Sequence, residues 1–173
     1  MVGTGGAGKT TFATALGTRT GLPVVHLDEH YFHPGWVPTP RPEWRRWQEG
    51  RFAATRWVAD GSYGSTLDVR LARADTVVIL APPAWRCVWS GLWRSVRHRG
   101  HAIQAPGCPE RLLILQRDFY RWIRRFARER QELDAALARH AEHLTVVELR
   151  SRAEYTRFLE GVTSARTGSG EPA

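Results

Sequence analysis

The chain has 173 residues, 42% hydrophobic and 24% charged, with a net charge of +8. That length fits one domain with a sizeable core, and the composition excludes a disordered, collagen-like or fibrous chain. No run approaches the roughly twenty apolar residues of a membrane span, and the opening MVGTGGAGKT lacks a basic and then apolar signal, so a cytoplasmic protein without a membrane partner is expected.

The most specific motif comes first. Gly3, Thr4, Gly5, Gly6, Ala7, Gly8, Lys9 and Thr10 satisfy G-x-x-x-x-G-K-[ST], a loop whose backbone N–H groups wrap nucleotide phosphates. Its glycines allow tight turns and close approach, and the helix that follows points its positive end at the phosphates. Lys9, the only lysine of the chain, is placed to reach the terminal phosphates, and the Thr10 hydroxyl to ligate magnesium. ATP and Mg2+ are the cofactors this loop implies, with Thr11 completing the ATP-binding set. Thr11–Arg19 predicts the following helix. Only Met1 and Val2 precede the loop, where a buried strand of about five residues belongs, so the first strand reads as truncated and an apolar segment is expected upstream.

Short, partly β-branched runs at Pro23–Leu27, Arg56–Ala59, Thr76–Ala81 and Leu144–Leu149 predict buried parallel strands. Helical patterns between them make the fold α/β, a doubly wound parallel sheet with its ligand at the carboxyl ends of the strands. Asp28 follows the first of these runs. Contact with the acceptor, steering of the metal and capping of the next segment are all open to it. His26, His30 and His33 flank it and raise a zinc reading, which Pro34 and Gly35 weigh against by predicting a loop. Trp44 and Trp47, on a short helix after Pro42, are candidates to cover an acceptor site or to pack in the core. Asp28, Arg41, Trp44 and Arg70 form the expected acceptor set. Asp60, with Gly61 after the next strand, is the expected magnesium acid, although the pair also suits a plain turn.

From Trp85 onward, Val88, Trp89, Leu92, Trp93 and Val96 trace one helix face, and Trp85, Trp89, Trp93 and Trp122 are expected in the core. Leu112, Leu115, Phe119, Trp122, Ile123 and Phe126 repeat the pattern in a second helix. Between Arg86 and Arg130, eleven arginines stand against three acids, and the rest of the chain is balanced. An anionic partner is expected there. The linking segment, about residues 98–111, carries Gly100, Pro106, Gly107 and Pro109 and predicts a mobile lid. Arg94, Arg97 and Arg99 at its entry, and Arg111 and Arg121 at its exit, are the candidates to stabilise charge developing on a transferred phosphoryl group. Cys87 and Cys108, the only cysteines, read as free thiols. Glu154–Val162 predicts a last helix, so one domain spans residues 1–164, with a frayed tail over residues 165–173.

The order GTGGAGKT, HLDEHYFHPGW, WVADGSYGSTLDVRLARADTVVIL, GCPERL and FYRWIRRFARER resembles the adenylate-kinase-like P-loop proteins, in particular those labelled DNA topology modulation proteins. The resemblance covers about residues 3 to 160. It implies a nucleoside-monophosphate-kinase fold, a three-layer P-loop NTPase with ATP and magnesium at Gly3–Thr11. It also implies an acceptor region around Asp28–Trp47, the acid-Gly pair at Asp60 and Gly61, and a lid near Arg97–Arg111. Ala81 departs from it, since relatives often carry Asp after the equivalent of TVVIL. The expected function is a kinase passing the γ-phosphoryl of ATP to a small acceptor, a nucleotide among the candidates. The alternative is a nucleotide-binding regulator that associates with DNA through residues 86–130.

Overall fold

In the computed structural model, which describes residues 1–54, 56–99, 105–109 and 130–168, short strands and helices alternate. In chain order they are β1 (Val2–Gly3), α1 (Lys9–Thr20), β2 (Val24–His26), α2 (Leu27–Tyr31), β3 (Phe32–His33), β4 (Val37–Pro38) and α3 (Arg41–Arg51). There follow β5 (Val58–Asp60), a 3-10 turn at Gly64–Thr66, α4 (Leu67–Leu71), β6 (Thr76–Leu80) and α5 (Ala84–Arg97). A helical stretch over residues 130–138, α6, then leads to β7 (Thr145–Leu149) and α7 (Arg152–Gly168).

β6 lies between β1 and β7, parallel to both, and β2 pairs in parallel with β5. The Met1 amino group donates to the Ala59 carbonyl at 2.6 Å, and the Gly61 N–H donates to the Met1 carbonyl at 3.4 Å. Across that bridge the strands run in the order β2, β5, β1, β6, β7. The chain is thus α/β with parallel strands, as its sequence pattern predicts. β6 reads TVVIL because a central parallel strand is covered on both faces. Val77 and Ile79 pack with Val2, Leu71, Leu137 and Leu144, while Val78 and Leu80 pack with Phe12, Cys87 and Leu149, the period of two that a pleated strand imposes. A third cluster, around Val25, Leu27, Trp44, Phe52 and Ala59, closes the β2–β5 side.

Two expectations change, the packed face of α5 and the extent of the last helix. α5 turns its tryptophan face outward: Trp85, Trp89 and Trp93 are 70%, 67% and 60% exposed, and the buried row is Cys87, Gly91 and Ser95. Small residues seat this helix because it runs hard against the glycine loop, where a Cβ on Gly6 would stand 2.3 Å from the Cys87 carbonyl oxygen. β1 has two residues, the short first strand that the sequence predicts. The last helix runs on to Gly168, into the stretch read as tail. The second Arg-rich helix, with Trp122, Arg111 and Arg121, lies outside the described residues. No described helix is long and apolar enough to cross a membrane.

Candidate functional site

The loop from Gly3 to Gly8 joins β1 to α1. Gly6 at φ 77° and Gly8 at φ 87° take the left-handed backbone conformation that side chains with a Cβ resist, and Gly8 caps α1. No acid stands in the first turn of α1, so its unsatisfied N–H groups present an unopposed positive end. Gly5, Thr10 and Thr11 are exposed on this mouth. The Lys9 ammonium donates to the Thr4 carbonyl at 2.8 Å, and the Thr4 hydroxyl lies 3.1 Å from Cys87 Sγ. Burial holds the Lys9 ammonium below its ordinary pKa. Asp60 and Asp28 oppose that shift, and Arg94 reinforces it.

Asp60 ends β5, opposite His26 in the β2 register. It is 5% exposed, its Oδ2 lies 3.0 Å from His26 Nδ1, and its Oδ1 is buried with no hydrogen-bond partner. A buried carboxylate oxygen left unpaired asks for an explanation, and a hard cation that prefers oxygen ligands supplies one. Asp60 and the exposed Thr10 hydroxyl thus fit magnesium, which takes one or two protein oxygens and completes its shell with water and phosphate. The zinc reading fails because the three imidazoles go to different partners: His26 to Asp60, His30 onto the Trp47 ring at 4.5 Å, and His33 to the Thr39 hydroxyl at 3.3 Å.

In the expected acceptor region, Asp28 stands half-buried in the first turn of α2. The Tyr63 phenol donates to its Oδ1 at 2.5 Å. Two members of the expected acceptor set are placed differently from the prediction. Arg70 is 3% exposed and donates to the carbonyls of Gly61 at 2.5 Å, Ser62 at 2.6 Å and Tyr63 at 3.3 Å, so it braces a loop instead of facing a ligand. Burial lowers its pKa to about 10. Trp44 is 1% exposed, stacked on Trp47 at 5.0 Å and edge-on to Tyr31 at 5.1 Å, so it is wall and not cover. Arg41 is exposed and donates to the Ser65 carbonyl at 3.2 Å.

Two residues were missed in the sequence. Tyr63 is one, and Ser62 is the other: its hydroxyl donates to the Gly3 carbonyl at 2.8 Å and accepts from the Gly3 N–H at 3.3 Å. The stretch after Asp60 ties the glycine loop to Asp28, and only its position after a strand end points to that in the sequence.

Arg94 is half-buried, and Arg97 and Arg99 are exposed at the end of α5 and beyond it. Of the expected lid, residues 98, 99 and 105–109 are described, and the last five dock on the β3–β4 hairpin. Gly35 N–H donates to the Gly107 carbonyl at 3.0 Å, Trp36 Nε1 to the Pro109 carbonyl at 2.9 Å, and the buried Cys108 thiol to the His33 carbonyl at 3.2 Å. Cys87 and Cys108 are both free and buried. Comparison with family models, with curated proteins and with solved structures returned no match.

Proposed function

We propose that the chain is an ATP-dependent phosphotransferase of the P-loop class, with the three-layer nucleoside-monophosphate-kinase architecture that its sequence resembles. The observation that carries this reading is the glycine loop itself, turned through left-handed Gly6 and Gly8 onto the acid-free N-terminus of α1, with the Lys9 ammonium held on the Thr4 carbonyl inside it. Nucleotide phosphates belong on that mouth, where backbone N–H groups and a helix end offer positive charge. Lys9 leaves the Thr4 carbonyl for the terminal phosphates, and Arg94 adds charge as negative charge develops on the transferred group. Thr10 and Asp60 would hold magnesium, which supplies charge neutralisation across the phosphates. Asp28 faces the acceptor, and the docked 105–109 loop keeps water from that side.

A second reading retains one specific observation. Trp85, Trp89 and Trp93 stand exposed on a helix that also carries Arg86, Arg94 and Arg97, and aromatic faces beside guanidinium groups stack on single-stranded nucleic acid. DNA binding of that kind survives loss of Lys9. The test is ADP formation with magnesium across a panel of small acceptors. Acceptor-stimulated ADP formation abolished in Lys9→Ala is expected. Turnover equal in the two proteins, or DNA binding with no turnover, refutes the kinase reading.

A further inference from the structure

The two carboxylate oxygens of Asp60 stand in unlike situations, and the strand pairing explains why. His26 and Asp60 are partners in the parallel β2–β5 ladder, and such partners send their side chains to the same face of the sheet. A Cβ on Gly17 of α1 would collide with Val24 Cγ2, so Val24 faces α1. Two residues further along the strand His26 does the same, and Asp60 with it. α1 ends at Thr20, beside the start of β2, so its first turn, with Thr10, lies toward the far end of that strand, where His26 and Asp60 stand.

On its other side β5 is tied to the start of the glycine loop. The Met1 amino group donates to the Ala59 carbonyl, the Gly61 N–H donates to the Met1 carbonyl, and the Ser62 hydroxyl bonds both backbone groups of Gly3. Asp60 is therefore placed by backbone bonds, one strand away from the loop and on the face that α1 covers.

Within the pair the bonding is one-sided. His26 Nδ1 lies 3.0 Å from Asp60 Oδ2, and a carboxylate only accepts, so Nδ1 carries the proton. Asp60 Oδ1 is buried and has no hydrogen-bond partner among the described residues. The imidazole thus restrains the carboxylate by one oxygen and leaves the other for a cation. Calcium gathers about six to eight oxygens, often both from one carboxylate, whereas magnesium binds through one or two carboxylates and keeps several waters.

We propose that His26 sets which cation this site takes: by occupying Asp60 Oδ2 it leaves the carboxylate a single oxygen to offer, which suits magnesium and disfavours calcium. The inference rests on the reading of Asp60 as the magnesium acid of a nucleotide site. His26 acts through the carboxylate and is a positioning residue.

Calorimetric titration of MgATP and of CaATP into wild type, His26→Phe, His26→Ala, His26→Asn and Asp60→Asn tests it, with thermal melts to show that each protein folds. His26→Phe and His26→Ala remove the donor with and without the ring volume, and His26→Asn keeps an N–H near the place of Nδ1. Wild type is expected to favour MgATP. In His26→Phe and His26→Ala that preference falls about tenfold or more, and His26→Asn restores it. No preference in wild type, or one unchanged in the folded donor-free variants, overturns the inference and leaves the nucleotide site standing. So does His26→Asn behaving as His26→Ala does, which makes the ring a packing element. Asp60→Asn with the wild-type preference removes Asp60 as the magnesium acid, and the inference with it. Failure of wild type to bind either complex overturns the nucleotide reading itself.

Discussion

Gly6 and Gly8 look interchangeable in the motif and are not. A Cβ at Gly6 would stand 2.3 Å from the Cys87 carbonyl oxygen, whereas at Gly8 nothing lies within 4 Å. The obstacle at Gly6 is backbone, which does not swing aside, so Gly6→Ala is expected to cost about 2–4 kcal/mol in denaturant unfolding. Gly8→Ala meets only the left-handed strain, about 1–2 kcal/mol. Equal losses would mean that α5 does not press on the loop. Arg70 makes the companion case. Arg70→Met strips the donor from three carbonyls and is expected to lower stability by about 3 kcal/mol or more; a variant of full stability with only a weaker acceptor KM would return Arg70 to the ligand. The sequence made Gly6, Gly8, Lys9 and Thr10 legible because their chemistry is local, one backbone turn and one helix start. It hid Arg70 and Tyr63, because an arginine reads as ligand-facing until its burial is seen, and the Tyr63 phenol meets Asp28 across 35 positions of sequence.

Among the elements, α5 shows why periodicity misleads. Its periodicity marks a true apolar face, and the structure turns that face to solvent. Hydrophobic spacing reports amphipathicity, while the fit against Gly6 and Leu80 selects the smaller row of Cys87, Gly91 and Ser95. The strands were better served: Thr76–Leu80 and Thr145–Leu149 lie within a residue of their predicted ends because β-branched runs between breakers have few alternatives. β7 also carries a charge network that the pattern gave no hint of. Glu148 accepts from Arg130 at 2.9 Å and from Arg150 at 3.0 Å, with Asp134 also on Arg130 at 2.9 Å. The bond from Arg130 holds the Glu148 carboxyl below its ordinary pKa. A depressed folded-state pKa gives stability that is complete above the unfolded value, about 4.3, and is lost as pH falls through the lower folded value. Partial exposure of both partners keeps the effect near about 1 kcal/mol. Wild type minus Glu148→Gln in thermal unfolding should therefore show a gap at pH 7 that closes below about pH 4. A gap independent of pH would assign the loss to packing.

Across the molecule, the strand order brings chemistry from separate segments to one edge. Gly3 ends β1, Asp28 follows β2 and Asp60 ends β5, so the glycine loop, Asp28 and Asp60 all lie at the carboxyl ends of parallel strands, where ligands bind in open α/β sheets. We propose that this edge holds nucleotide phosphates through the glycine loop and Lys9. Calorimetric titration of MgATP into the wild-type protein and into Lys9→Ala tests it most directly. One-to-one binding, weakened about tenfold to a hundredfold in the folded variant, is predicted from loss of a charged hydrogen-bonding partner. Equal affinity in the two proteins, or no heat from the wild type, would contradict it.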